Sequence, residues 1–154
     1  MNNDLTLGQC TYLEMIDTFR QATQDHFTEV PFGDYKIELN PNDNIYINAE
    51  REGHARFYVA FQGRNPAGYM IIFASEMAHH TGTMCAVTDS FYVVPKYRND
   101  GIFGKLLAYV EQDIKAAGIR FLTIGHNPQY KGKTPELLLS EGYSVTEVAY
   151  TKEV

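Results

Sequence analysis

The sequence has no tryptophan and only two cysteines, Cys10 and Cys85, far apart and at no metal-ligand spacing. That usage argues against a disulfide framework or a zinc module, and makes two free thiols in a reducing compartment the default expectation. No apolar run approaches the roughly 20 residues needed to span a bilayer. The first ten residues, MNNDLTLGQC, lack the basic-then-apolar order of a secretory signal. Repeats, low-complexity tracts and linkers are also missing. Positive charge is scarce, with 13 Lys and Arg against 19 Asp and Glu and a net charge of −6. Nucleic-acid backbones and anionic membranes both call for a net basic face, so neither is an expected partner. An acidic exterior instead favours cationic molecules such as amines.

What is present is an ordinary globular composition. With 154 residues, 44 % hydrophobic and 21 % charged, residues 1–154 read as a single domain able to bury a core. Leu13, Ile16, Phe19 and Phe27 suggest an amphipathic helix over about residues 9–25. A second helix is expected over 43–52, capped by Asn42 or Asp43 and ended by Gly53. HARFYVAFQ (54–62) and YMIIFAS (69–75), joined by GRNPAG, read as an antiparallel hairpin. TMCAVTDSFYVV (83–94) is a long central strand that Pro95 ends. On it, alternation places Asp89, Phe91 and Val93 on one face. Ile102, Phe103, Leu106, Leu107, Val110 and Ile114 form the stripe of a helix over 101–117, with Gly118 after it. IRFLTIG (119–125) follows as a strand parallel to the central one. TPELLLSEG (134–142) is a short helix with Thr134 as its cap, and YSVTEVAYTKEV closes as an alternating strand. Phe57, Phe61, Tyr69 and Phe73, at strand spacing, are expected in the core. The fold class is α/β: a mixed sheet of about six to seven strands with about four helices.

The stretch YRNDGIFGKLL (97–107) sits where a strand hands over to a helix. Backbone N–H groups from Asp100 to Gly104 would be the orphan donors of the helix's first turn. Gly101 and Gly104 keep side chains out of the way, while Lys96, Arg98 and Lys105 add positive charge. Either Gly101 merely relieves a strained turn, or the loop holds an anion. A Walker loop is excluded, because only Ile102 and Phe103 separate the glycines and Leu106 follows the lysine. The Rossmann fingerprint G-x-G-x-x-G is absent.

FYVVPKYRNDGIFGKLL resembles motif A of the GCN5-related N-acetyltransferases, V-x-P-x-[YF]-[RQ]-x-x-G-x-[GA] leading into a long helix. FLTIGHN and LLLSEGYSV are similar to later segments of the same family, so the resemblance spans roughly residues 45 to 152. The block from Ala67 to Arg98 is also similar to small acetyltransferase-like proteins often encoded by tailed bacteriophages. The resemblance implies acetyl-CoA as cofactor. Its pyrophosphate would lie on Arg98, Asn99, Asp100, Gly101, Ile102, Phe103, Gly104 and Lys105. Its pantetheine arm would pair with Tyr92, Val93 and Val94, where the family's central strand splays from its neighbour, and would contact Asn127. The chain departs from the motif in two ways: Phe103 stands at the [GA] position and is expected to point into the core, and Asp100 inside the turn must cap the helix or face solvent.

Acetyl transfer to an amine requires a proton acceptor, because an alkyl amine of pKa near 10.4 is almost wholly protonated at neutral pH. Asp89, where the family often carries an acid, is the expected base. Glu76 is the second choice for that role and, with His80, a candidate for contacting the acceptor. His79 and His80 are adjacent, point to opposite sides of an extended chain, and have no further ligand cluster, so no metal is expected. The family's usual tyrosine acid falls on Leu138, which leaves Tyr130 as the substitute proton donor. The expected function is N-acetyl transfer from acetyl-CoA to a primary amine, of a small molecule or of a protein, in the cytoplasm (the host's, if phage-encoded). The alternative is a catalytically silent protein of the same fold that engages a partner protein. The sequence leaves oligomeric state open, a homodimer included.

Overall fold

The computed structural model describes residues 4–128 and 132–154. A single five-stranded sheet, in the order β1-β2-β3-β4-β5, carries helices on both faces. The strands are β1 (Leu5–Cys10), β2 (Ala55–Gln62), β3 (Asn65–Glu76), β4 (Met84–Val93) and β5 (Phe121–Thr123). The helices are α1 (Tyr12–Thr18), α2 (Arg20–Glu29), α3 (Asp43–Arg51), α4 (Ile102–Ala116) and α5 (Thr134–Ser140). Neighbours from β1 to β4 pair antiparallel, and β4 pairs with β5 in parallel across the α4 crossover. The expected mixed α/β sheet is therefore present, with an antiparallel half and a parallel crossover pair.

Alternation along β2 sorts the two cores. Tyr58 joins Met70 and Ile72 of β3 and Ala86 of β4 beneath the α4 stripe Leu106, Leu107, Val110 and Ile114. Phe57 and Val59 join Tyr69, Ile71 and Tyr92 beneath Tyr12, Met15 and Phe19 of the N-terminal helices. Phe61 and Phe73, expected in the core, lie partly buried against that second cluster. Each apolar side chain of this size buried from water contributes about 1.5–3 kcal/mol, which fixes the helical layers to the sheet.

The ends of the chain depart from the sequence reading. The first helix does not begin at residue 9: residues 5–10 form β1, pairing Leu5 with Gln62 through Cys10 with Phe57. A six-residue edge strand has too short an alternation to stand out, and it exists only because β2 offers an edge. Thr11 then starts α1 through a reciprocal capping box with Glu14. The helix breaks at Phe19 and resumes as α2. At the other end, α5 is capped by Lys133 with no side-chain bond, not by Thr134. The segment YSVTEVAYTKEV forms no strand. It is tied instead by the Tyr35 hydroxyl, which donates to Thr151 O at 3.1 Å and accepts from Glu153 N at 3.2 Å. β5 has only three residues, so it offers little ladder for a sixth strand. The sheet accordingly has five strands among the described residues, not six or seven.

His26 of α2 is wedged into the second core. Its Nδ1 lies 2.7 Å from the Tyr69 hydroxyl, and its ring stacks on Tyr92 at 4.8 Å. Burial pushes its pKa down to about 4; the Glu29 carboxylate opposes this and Arg98 assists it. A histidine lowered on folding supplies stability that is full above its ordinary pKa and is lost as pH falls toward the folded value. Urea denaturation should accordingly show about 2 kcal/mol lost between roughly pH 7.5 and pH 5, and a His26→Phe chain should lose about that much less over the same interval. Equal slopes for the two chains would place the acid sensitivity elsewhere.

Candidate functional site

β4 is paired on both sides for only part of its length. Cys85, Ala86 and Val87 pair with Phe121, Leu122 and Thr123 of β5. Next, Gly125 N donates to the Thr88 hydroxyl at 2.9 Å. Beyond that point β4 keeps β3 on one side and has no strand on the other among the described residues. The chain after β5 turns away, and Asn127 Nδ2 donates to Pro31 O at 3.1 Å, joining this loop to the one after α2. Where the two strands part, β4 also bulges: Thr88 pairs with Ile72 and Ser90 with Ile71, so Asp89 has no partner on β3.

The bulge overturns one expectation. Uninterrupted alternation would put Asp89 on the same face as Phe91 and Val93. Phe91 packs under α4 against Phe103, with ring centroids 5.0 Å apart, and Val93 packs with Ile102. Asp89 instead faces the N-terminal helices, where Tyr46 of α3 donates its hydroxyl to Oδ2 at 3.2 Å. Loss of water around the carboxylate raises its pKa above the ordinary value, against hydrogen bonds from Tyr46 and Ser90 that lower it. Tyr46 was missed in the sequence, where it is one aromatic among 11 tyrosines and 9 phenylalanines; no spacing rule links it to residue 89.

After β4, Val94 N still donates to Ala67 O at 2.9 Å. Pro95–Asp100 then form a short 3₁₀ turn that ends at Gly101, with φ +68° and ψ +20°. Left-handed backbone of that kind costs other L-residues about 1–2 kcal/mol. Gly101 caps α4 with no side-chain bond, which leaves the first-turn amides directed outward. Ile102 is buried in the core, Phe103 is half-buried against Phe91, and Asp100 and Asn99 are exposed. Asp100 faces solvent and does not cap the helix. Lys105 Nζ reaches back to Asp100 O at 3.4 Å.

Arg98 turns away from this amide cluster. Its Nε donates to Val93 O at 2.9 Å, its guanidinium lies over the Tyr92 ring, and its two terminal nitrogens grip Glu29 at 2.6 Å each. Tyr92 also donates to Glu29. The Arg98 hydrogen bonds hold the Glu29 carboxyl below its usual range. Arg98 is thus a tie between the turn, β4 and the end of α2.

Other candidates lie farther off. Glu76 pairs across from Met84 at the opposite end of β4 and accepts from Gly82 N, closing the loop that carries His79 and His80. His80 is exposed within that turn. Asp89 lies five positions along the strand from Met84, roughly 16 Å. Tyr130 lies outside the described residues. Leu138 is buried beneath α4 and belongs to the core. Among the described residues no group of His, Cys, Asp or Glu is arranged to hold a metal, and no helix is long and apolar enough to cross a membrane. Both cysteines are free. A cavity of about 500 Å³, lined by Ile114, Phe121 and Tyr143 among others, opens at the far end of α4 and does not reach the glycine turn.

The profile of the acetyltransferase (GNAT) family matches residues 15–130. The chain belongs to that family. Solved structures share the fold at low identity. A ribosomal-protein-alanine N-acetyltransferase from Brucella melitensis biovar Abortus 2308 superposes with TM-score 0.74 at 15 % identity, covering 97 % of this chain and 99 % of that one. An aminoglycoside acetyltransferase from an uncultured soil metagenomic sample, solved with sisomicin, gives 0.72 at 14 % identity, covering 99 % of each chain. The aminoglycoside N-acetyltransferase AAC(6')-Iy with CoA gives 0.72 at 13 % identity, covering 100 % and 97 %. A search of curated proteins returned no match.

Within this GNAT chain, Gly101 and Gly104 can be told apart by experiment. A Cβ added at either meets nothing within 4 Å, but only Gly101 has a positive φ. Gly101→Ala should therefore lose about 1 kcal/mol, whereas Gly104→Ala, inside α4, should be neutral or gain roughly 0.5 kcal/mol. Thermal melts of the two variants check the pair of signs.

Proposed function

We propose that this GNAT protein transfers an acetyl group from acetyl-CoA to a primary amine by direct attack on the thioester. The observation that carries the reading is the half-paired β4, whose open edge runs straight into the bare, outward-facing amides at Gly101. An extended arm laid along that edge can take ladder hydrogen bonds from the strand, and an anion at its end meets the amides and the positive end of α4. The empty space over Gly101 and Gly104 fits a diphosphate, with Lys105 and Lys96 adding charge at its rim. Arg98, Asn99, Asp100, Ile102 and Phe103 contribute chiefly backbone, since their side chains point into the core, into solvent or toward Glu29. Tyr92, Val93, Val94 and Asn127 would flank the arm.

When bound, acetyl-CoA supplies an acyl carbon activated as a thioester. Asp89 is the proposed base. It stands at the parting of β4 and β5, and its raised pKa brings a carboxylate nearer to working pH, where a base is most effective. Asp89 would take one proton from the ammonium form and so free the nitrogen lone pair. As that nitrogen bonds to the acyl carbon, the electron pair of the C–S bond would leave with sulfur, and the second N–H proton would pass to solvent. Tyr130 is the proposed donor to that sulfur.

Charge bears on the acceptor. Residues 11–52 hold nine of the 19 acidic side chains and three of the 13 basic ones, so this segment alone carries the net −6 and the rest of the chain is neutral. Most of the surplus lies on the helical layer that Asp89 faces, with the rest on the loop that joins α2 to α3 and at the end of α3, which suits an amine with more than one positive charge. Glu76 and His80 would meet only an acceptor long enough to span the distance from Asp89. The metagenomic neighbour was solved with an aminoglycoside, a multiply cationic compound of this kind. We place the reaction in the cytoplasm, where free thiols persist.

Calorimetry should show micromolar binding of acetyl-CoA that Gly101→Arg abolishes; no heat at millimolar ligand would remove this reading. Asp89→Asn should lower kcat by tenfold or more, on the general-base magnitude of about 10²–10⁴, and leave cofactor affinity unchanged. Binding with no transfer to any amine class would instead favour the silent, partner-binding alternative.

A further inference from the structure

We propose that Tyr46 is the positioning residue for the acetyl-transfer base, a phenol clamped between α1 and the sheet whose hydroxyl holds the Asp89 carboxylate at the parting of β4 and β5. The inference rests on the reading of Asp89 given above. The bulge takes Asp89 off the α4 face and aims it at α3. A carboxylate at an unpaired strand position can rotate, and a general base must be held within hydrogen-bonding reach of its proton.

The Tyr46 ring has little freedom. Tyr12 stacks on it nearly parallel, at 4.8 Å and 7°, with Phe73 at 5.8 Å and Phe57 at 6.3 Å on other sides. Tyr12 is itself locked: its hydroxyl donates to Asp43 at 2.5 Å and its backbone N–H to Glu50 at 3.1 Å. Both acceptors belong to α3, so the helix that carries Tyr46 is fastened to α1 at each end of the stack. The phenol oxygen is thereby fixed 3.2 Å from Oδ2 of Asp89. Packing alone would be satisfied by phenylalanine, so the hydroxyl is the part whose role is in question.

Chemistry gives the hydroxyl two effects. It fixes the carboxylate's orientation, and it stabilises the ionised form, opposing the loss of water that raises the Asp89 pKa. The titratable groups around Asp89 are Tyr46 on α3, Tyr12 on α1 and Tyr69 on β3, with the Ser90 hydroxyl beside it. Among the described residues no cation is paired with it. Tyr46 is thus the chief group that offsets the desolvation.

The test is the pH profile of kcat/KM for the acceptor in wild type, Tyr46→Phe and Tyr12→Phe. Tyr46→Phe should move the acid limb up by about one pH unit, the worth of one hydrogen bond to a carboxylate. It should also lower the plateau kcat several-fold while leaving KM for acetyl-CoA unchanged. Tyr12→Phe, which keeps the stack and the bond to Glu50 but loses the one to Asp43, should move the limb by less than Tyr46→Phe does. Carbon-13 NMR titration of Asp89 in the resting protein reads the same shift without turnover. Transfer activity with an unmoved limb and an unmoved NMR titration in Tyr46→Phe would overturn the role of Tyr46 alone. Absence of transfer and of acetyl-CoA binding in wild type would instead overturn the acetyl-transfer reading itself.

Discussion

The ladder between β4 and β5 stops after three residue pairs, and most of what is distinctive in this molecule follows from that. A strand inside a sheet has both edges satisfied. Here the second half of β4 has one edge satisfied by β3, and the other opens on the side where the chain has turned away toward Pro31. Buried backbone donors and acceptors need partners, so an open internal edge must face solvent or a ligand. The same strand then runs into Pro95, which cannot donate, and into a left-handed glycine at the head of α4. An open ladder, a sharp turn and a helix N-terminus follow one another within about a dozen residues.

Charge is distributed unevenly around this feature. The motif arginine is committed: Arg98 binds Val93 and the Glu29 carboxylate and covers Tyr92. It ties the end of α2 to the turn across a partly solvent-accessible ion pair, whose own contribution to stability is modest. What faces outward at the turn is backbone and lysine. On the other side of the sheet the segment 11–52, the N-terminal helices with the loop that joins them, carries the entire negative surplus. The two faces of the opening therefore differ in sign, with anion-attracting amides at one end of β4 and carboxylates opposite its middle.

Much of the architecture was legible because it rests on local rules. The α4 stripe, the Gly101 turn, the β2–β3 hairpin and the parallel β4–β5 pair each follow from periodicity or from a residue with restricted backbone. The short strand β1 was not legible, because six residues carry too little alternation and their pairing depends on an edge far along the chain. The expected terminal strand failed for the converse reason. Its alternation is clear, but alternation says only that a segment can pair, and β5 provides three residues to pair with.

The sequence by itself determined the family, the composition of the glycine turn and the apolar faces of the helices, since these are properties of neighbouring residues and of backbone preference. Only the tertiary structure decided which way Asp89 points, that Arg98 is spent on Glu29, and that Tyr46 stands against the carboxylate. The reason is physical: a one-residue bulge reverses the face of a side chain without leaving a mark in composition. Contacts across 43 or 69 residues of separation come from packing two layers together, which no local pattern encodes.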